Sequence, residues 1–191
     1  MQLHLVRHPR PQIDPGVCYG RSDLAACPSD LERVRRTLAA FLPNGMPVFT
    51  SPLRRCAELA DTLKAPSLTR DARLAEFDFG AWERRPWQDI PRTEIDAWAA
   101  DVENYRPGNG ESLLQMAERI TSFYHDLQAR HVERALIICH AGTIRHLTAC
   151  LRGLPPAEMA RFVASAPHAI DYGEILTLNA GCPTPDNGHL I

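Results

Sequence analysis

Apolar positions along the chain alternate between short solid runs and spaced faces, the pattern of strands alternating with helices. Leu3-His4-Leu5-Val6 is a run of strand length that can be buried, and Pro9 forbids its continuation. An irregular stretch, 9–29, follows; its length makes it a functional loop or a poorly ordered one. Residues 30–42 read as a helix with Leu31, Val34, Leu38 and Phe41 or Leu42 on one face and Arg33, Arg35 and Arg36 towards water, ended by Pro43-Asn44-Gly45. Residues 46–50 form a second strand. Ser51-Pro52 then reads as an N-cap hydroxyl and a proline at the first helical position, opening a helix with Leu53, Cys56, Ala60 and Leu63 on its apolar face.

A short strand at 67–69 precedes a stretch, about 77–110, in which both periodicities break down. Phe77, Phe79, Trp82, Trp87, Trp98 and Tyr105 crowd it, and it reads as an excursion of short helices over the sheet, closed by Pro107-Gly108-Asn109-Gly110. From Glu111 to Arg130 the spacing predicts a long amphipathic helix with Leu113, Ala117, Ile120, Tyr124 and Leu127 facing the core. Residues 135–140 are apolar almost throughout, as in a central parallel strand. Ala141-Gly142-Thr143 turns into a helix bearing Ile144, Leu147 and Leu151. After Gly153-Leu154-Pro155-Pro156 come a short helix with Met159, Phe162 and Val163, a last strand at 172–178, and a loose tail at about 180–191. The pattern predicts one domain over 1–191 of class α/β: three layers, with a mainly parallel sheet and helices on both faces.

A composition of 45% hydrophobic and 23% charged residues is globular, and 191 residues suffice for one core. The net charge of −2 gives no general pull towards nucleic acid or an anionic membrane, so an anion site must be built locally from converging arginines. No apolar run approaches the ~20 residues of a membrane span, and Met1 leads straight into the first strand with no signal peptide. The six cysteines show no C-x-x-C pair and read as reduced thiols of a cytoplasmic protein.

Three predicted strand ends carry chemistry: Arg7-His8, Ser51-Pro52 ahead of Arg54-Arg55, and His140-Ala141-Gly142. Strand ends of this kind share one edge of a doubly wound sheet, where ligands bind. Two imidazoles and two guanidiniums around one point repel unless an anion sits between them, and a tetrahedral phosphate satisfies that set. Neighbouring helical residues point differently, so at most one of Arg54 and Arg55 turns inward, and the alternative is that both are solvated. His4, His125, His131 and His189 read as surface residues, and His146 and His168 as structural ones.

Arg7-His8, Ser51-Pro52-Leu53-Arg54-Arg55, Leu74-Ala75-Glu76 with Phe79-Gly80-Ala81-Trp82-Glu83, Gly110-Glu111-Ser112 and Cys139-His140-Ala141-Gly142 resemble, in order and spacing, the motifs of the histidine phosphatase superfamily, whose fold is phosphoglycerate-mutase-like. The Cys18-Tyr19-Gly20-Arg21-Ser22-Asp23 loop, the Phe-Gly-x-Trp-Glu segment and the Gly-Glu-Ser turn are most similar to its α-ribazole phosphatase branch. The resemblance implies a metal-independent, cofactor-free phosphomonoesterase that hydrolyses α-ribazole 5′-phosphate in cobalamin biosynthesis. A sugar-phosphate phosphatase or phosphoglycerate mutase is the alternative on the same fold. A non-catalytic phospho-ligand module and a metal-dependent hydrolase using His8, His140 and Glu76 as ligands are alternatives of other classes. The pattern leaves monomer and homodimer open.

The resemblance also implies roles. His8 is the nucleophile that becomes a phosphohistidine, and Arg7 and Arg55 hold equatorial oxygens. His140 donates to a phosphoryl oxygen, helped by the turn beginning at Ala141. Glu76 protonates the leaving oxygen and later deprotonates water, a role that calls for partial burial, expected beside Phe77, Phe79 and Trp82. Arg10, Tyr19, Gly20 and Arg21 are further candidates for substrate contacts, and Trp82 or Trp87 for stacking on a planar leaving group such as benzimidazole. Pro9-Arg10 stands where the family commonly has Gly-Glu, which favours anionic substrates. Gln12 and Asp14 are what the chain offers near the family's phosphate-contacting asparagine, and Ala141 replaces a usual glycine.

Overall fold

The computed structural model describes residues 1–41, 45–165, 167 and 169–179. Strand β1 (Gln2–Arg7) runs parallel to β4 (Arg134–Cys139), with Leu3 opposite Ala135 and Arg7 opposite Cys139, and antiparallel to β5 (Ile175–Asn179). Beyond β4 lie β2 (Val48–Thr50) and β3 (Leu68–Arg70), both parallel, which gives the order β3-β2-β4-β1-β5. The architecture is the predicted α/β one.

Period-two alternation sends the two faces of the sheet to different cores. Leu3, Leu5 and Ile137 pack against α4 (Leu113–Ala129), α5 (Ala141–Leu151) and α6 (Pro156–Ala164), meeting Met116, Ile120, Phe123 and Leu147. Val6, Leu136 and Ile138 face α1 (Pro28–Phe41) and α2 (Arg54–Ala60), meeting Val34, Leu38 and Leu59. Each of these aliphatic side chains is wholly buried and contributes roughly 1.5–3 kcal/mol. His4 shares the second face and is a correction to its surface reading. It is 6% exposed, its Nδ1 lies 2.9 Å from the Thr177 hydroxyl, and its ring meets Phe41 edge-on.

Several boundaries differ from the sequence expectation, and three of them show local chemistry. Helix α2 starts at Arg54, with Leu53 as a cap that makes no side-chain bond; Pro52 lies in the bend before it. Helix α4 starts at Leu113 behind a capping box, in which the Ser112 hydroxyl accepts from the Gln115 N–H and the Gln115 side chain accepts from the Ser112 N–H. Strand β5 starts at Ile175, because Tyr172 and Gly173 form a turn with Gly173 at φ +77°.

The aromatic excursion consists of 3₁₀ turns at Gly80–Trp82, Trp87–Asp89 and Pro107–Asn109 with one helix, α3 (Arg92–Ala100). It closes on itself through glycine: a Cβ on Gly80 would stand 2.2 Å from the Gly108 carbonyl oxygen. Its own small core is Cys18, Trp82 and Ile90. Cys18 belongs to the 9–29 segment, which is tied down by bridges pairing Pro11 with Ala26 and Val17 with Pro86. The expected helix end at Pro43-Asn44, the tail, His168 and His189 lie outside the described residues. Among the described residues no helix is long and apolar enough to cross a membrane, and the five cysteines are free thiols.

Candidate active site

Parallel pairing of β1, β4 and β2 brings their C-terminal ends to one edge. The His8 N–H donates to the Cys139 carbonyl at 2.9 Å, which sets the two histidines after these strands side by side, with ring centroids 4.9 Å apart. His8 is 2% exposed. Its Nδ1 lies 2.7 Å from the Pro9 carbonyl oxygen, which can only accept, so Nδ1 carries the proton and Nε2 keeps a lone pair. Arg55 Nε donates to that Nε2 at 3.3 Å.

Arg55 is wholly buried, and its other two nitrogens donate to backbone carbonyls, Nη1 to Ser22 at 2.7 Å and Nη2 to Gly20 at 2.5 Å. Arg7, at the end of β1, donates to the Ile170 carbonyl and lies 3.9 Å above the Tyr172 ring; its Nε is buried without a partner among the described residues. Among the described residues both guanidiniums therefore touch only uncharged groups, which leaves their charge available to an anion.

His140 caps α5 and is wholly buried, with Nε2 2.8 Å from the Ser51 hydroxyl. Glu76 stands across from it, held by two backbone donors: Gly142 N–H to Oε2 and Phe77 N–H to Oε1, both at 3.1 Å. A Cβ on Gly142 would lie 2.4 Å from Glu76 Oε1, so the close approach needs glycine there. Arg119 anchors the strand-like backbone around Glu76, donating to the carbonyls of Arg73, Ala75 and Glu76 while paired with Glu111 at 2.6 Å.

Burial, reinforced by Arg55 and Arg7, holds the His8 imidazole well below its ordinary value of 6.5, against the opposing hydrogen bond to Pro9. Burial, then Arg55 and His8, does the same to His140, and burial lowers His146 to about 4. All three are neutral in the folded chain near pH 7. The unfolded chain takes up their protons first, so the stability they support is present above pH 6.5 and is lost as pH falls below it. Each ring then costs up to about 1.4 kcal/mol per pH unit. Thermal unfolding should therefore show a melting temperature that falls from pH 6.5 towards pH 4; a flat profile over that range would contradict neutral burial.

These groups open onto a cavity of about 390 Å³. Arg7, His8, Arg55 and Glu76 line its polar end, and Phe79, Trp87 and Trp98 its wall. The sequence model of the histidine phosphatase superfamily (branch 1) matches residues 3–174. The chain belongs to that superfamily. It is 32% identical over 178 residues to the adenosylcobalamin/alpha-ribazole phosphatase of Salmonella typhimurium, covering 85% of each chain. It is 29% identical to the glucosyl-3-phosphoglycerate phosphatase of Mycolicibacterium vanbaalenii, covering 81% of this chain and 75% of that one. The crystal structure of the alpha-ribazole phosphatase from Shigella flexneri superposes with a TM-score of 0.79 at 25% identity, over 94% of this chain and 90% of that one.

In this histidine phosphatase the structure brings together Arg7, His8, Arg55, Glu76, His140 and Ala141, as expected, although His140 lies beneath the cavity rather than on its lining. Ala141 begins α5 without a positive φ, so its side chain is tolerated where glycine is usual. Tyr19 lines the cavity, its hydroxyl 2.7 Å from that of Tyr172. Gly20 contributes its carbonyl to Arg55 and does not reach the cavity. Arg10 is exposed, its guanidinium 5.8 Å from the Tyr172 ring and outside the lining.

Two further expected contacts also stand outside the cavity lining. Trp82 is 1% exposed, donates from its indole to Glu94 at 2.6 Å and is absent from the cavity wall, since its own small core encloses it. Arg21 is turned away by two carboxylates, Asp78 at 3.4 Å and Glu111 at 3.7 Å. Gln12 is exposed and donates to the Ala26 carbonyl; with Asp14 it lines a different, open cavity, so neither reaches His8. Sequence reasoning missed Ser51 as the partner of His140, Tyr172 as the ring beneath Arg7, and Arg119 as the anchor behind Glu76. Only Ser51 had a signal, its place inside the Ser-x-Leu-x-Arg motif. Among the described residues no group of three or more His, Cys, Asp or Glu side chains is arranged to hold a metal ion.

Proposed function

We propose that residues 1–191 form a single histidine phosphatase domain acting as a metal-independent phosphomonoesterase. One observation carries this: His8 presents an unprotonated Nε2 towards Arg55, with its proton held at Nδ1 by Pro9, in a pocket shared with Arg7 and Glu76. Nε2 attacks phosphorus in line, the P–N bond forms as the P–O bond breaks, and Glu76 gives its proton to the departing oxygen. Glu76 then takes a proton from water, whose oxygen attacks phosphorus and releases His8. Arg7 and Arg55 hold the equatorial oxygens, and the Ala141 N–H at the start of α5 adds a donor. Ser51 holds one nitrogen of His140, and the proposal assigns the other to a phosphoryl oxygen.

The preferred substrate in this reading is α-ribazole 5′-phosphate, which places the activity in the cytoplasm and in cobalamin biosynthesis. Phe79, Trp87 and Trp98 supply an aromatic wall suited to a planar base, and the likeness to the Salmonella and Shigella phosphatases supports the same choice. A specific observation favours a second reading. Arg145 also lines the cavity, half-buried, and among the described residues its one polar contact is a 3.5 Å approach to the Phe162 carbonyl. A cation so placed suits an alcohol that carries a carboxylate, as a phosphoglycerate does.

Phosphate release from α-ribazole 5′-phosphate, 3-phosphoglycerate and p-nitrophenyl phosphate, all with EDTA present, tests the proposal. Preference for α-ribazole 5′-phosphate supports the first reading. A preference for 3-phosphoglycerate that Arg145→Gln abolishes, with p-nitrophenyl phosphate turnover unchanged, supports the second. Activity that appears only after a metal is restored would overturn the mechanism.

A further inference from the structure

Glu83 is used by no step of the mechanism, yet its carboxylate accepts five hydrogen bonds, four of them from residues 20–22. Oε2 takes the N–H of Gly20 at 3.1 Å, the N–H of Ser22 at 3.1 Å and the Ser22 hydroxyl, and Oε1 takes the N–H of Arg21 at 2.8 Å. The fifth comes from the Phe79 N–H at 3.1 Å. Successive N–H groups curled around one anion form an anion nest, filled here by a side chain of the same protein. On the other side of that three-residue segment, the carbonyls of Gly20 and Ser22 accept Arg55 Nη2 and Nη1. The peptide joining Gly20 to Arg21 spans the two directly: its oxygen accepts from Arg55 and its N–H donates to Glu83.

We infer that Glu83 is a positioning residue that sets the Arg55 guanidinium for the phosphoryl group through the peptide groups of residues 20–22; this rests on the phosphatase reading above. The carboxylate polarises those peptides so that their oxygens face the cation, and it does so without touching Arg55. A carboxylate in direct contact would neutralise the guanidinium and compete with phosphate. An unheld loop would leave a buried cation to find its own place. The segment is also confined sterically, since a Cβ on Gly20 would fall 1.9 Å from the Phe77 carbonyl oxygen.

Glu83→Gln replaces one acceptor oxygen with an NH₂ group facing N–H donors, which frees the segment. Calorimetric binding of tungstate, a tetrahedral oxyanion, reads the outcome without requiring turnover, alongside kcat and KM for p-nitrophenyl phosphate. Glu83→Gln should weaken tungstate binding about 10- to 100-fold, the range in which groups behind a ligating residue act, and should lower kcat with it. In an Arg55→Met background the same substitution should cost nothing further, because the residue it acts through is gone. An equal loss in both backgrounds would reduce Glu83 to a structural role and overturn the inference, as would undiminished binding. If Glu83→Gln fails to fold, Ser22→Ala removes one of the same contacts and must show the same dependence on Arg55. An unaltered protein that binds no tungstate would overturn the phosphate-site reading itself, and the inference with it.

Discussion

Replacing His8 with alanine should abolish phosphate release, by a factor on the order of 10⁴ to 10⁶, the scale on which removal of an attacking group acts. The fold should survive. The His8 N–H to Cys139 bond belongs to the backbone and remains, and the lost imidazole is one that burial and two arginines already disfavour in its charged form. Arg55 keeps its carbonyl partners at Gly20 and Ser22. The check is phosphate release from p-nitrophenyl phosphate together with the melting temperature of the variant. Near-normal turnover in a folded His8→Ala protein would remove the mechanism at its root.

Glu76→Gln should separate substrates by their leaving group. An alkyl phosphate such as α-ribazole 5′-phosphate expels a basic alkoxide unless a proton arrives in the transition state, and its hydrolysis should slow about 10²- to 10⁴-fold. p-Nitrophenolate leaves without that help, so formation of the phosphoenzyme from p-nitrophenyl phosphate should change little, as read by the burst of nitrophenol. Glutamine still offers an oxygen to the Gly142 or Phe77 N–H, which limits structural damage. Equal losses with both esters would argue that Glu76 orients substrate and transfers no proton.

The polar end of the site was legible because it rests on residue types at strand ends. Strand periodicity puts Arg7-His8 and His140 just past β1 and β4, and parallel pairing makes those ends neighbours. Which of two adjacent arginines turns inward was decided by packing: Arg54 pairs with Glu58 in the open, while Arg55 is wholly buried. The wall was harder to read. Trp82, Trp87 and Trp98 look alike in a sequence, and a partner twelve residues away, Glu94, draws Trp82 inward. Ser51-Pro52 satisfies the local signature of a helix cap, yet the serine is held by His140, 89 residues further on. Tyr172 and Tyr19 meet across 153 residues of chain, a contact no local pattern announces. Arg21 was equally readable as a surface residue or a substrate contact, and the fold pairs it with Asp78 and Glu111.

The most direct measurement is the search for a phosphoryl group on His8 itself. The protein is mixed with p-nitrophenyl phosphate and EDTA, quenched in alkali within the turnover time, and digested for mass spectrometry, since phosphohistidine survives base and is lost in acid. One phosphoryl group per chain is expected, on the peptide carrying His8, forming more slowly in Glu76→Gln protein given an alkyl phosphate. Phosphate released with no adduct at any time, or an adduct on another residue, would contradict it.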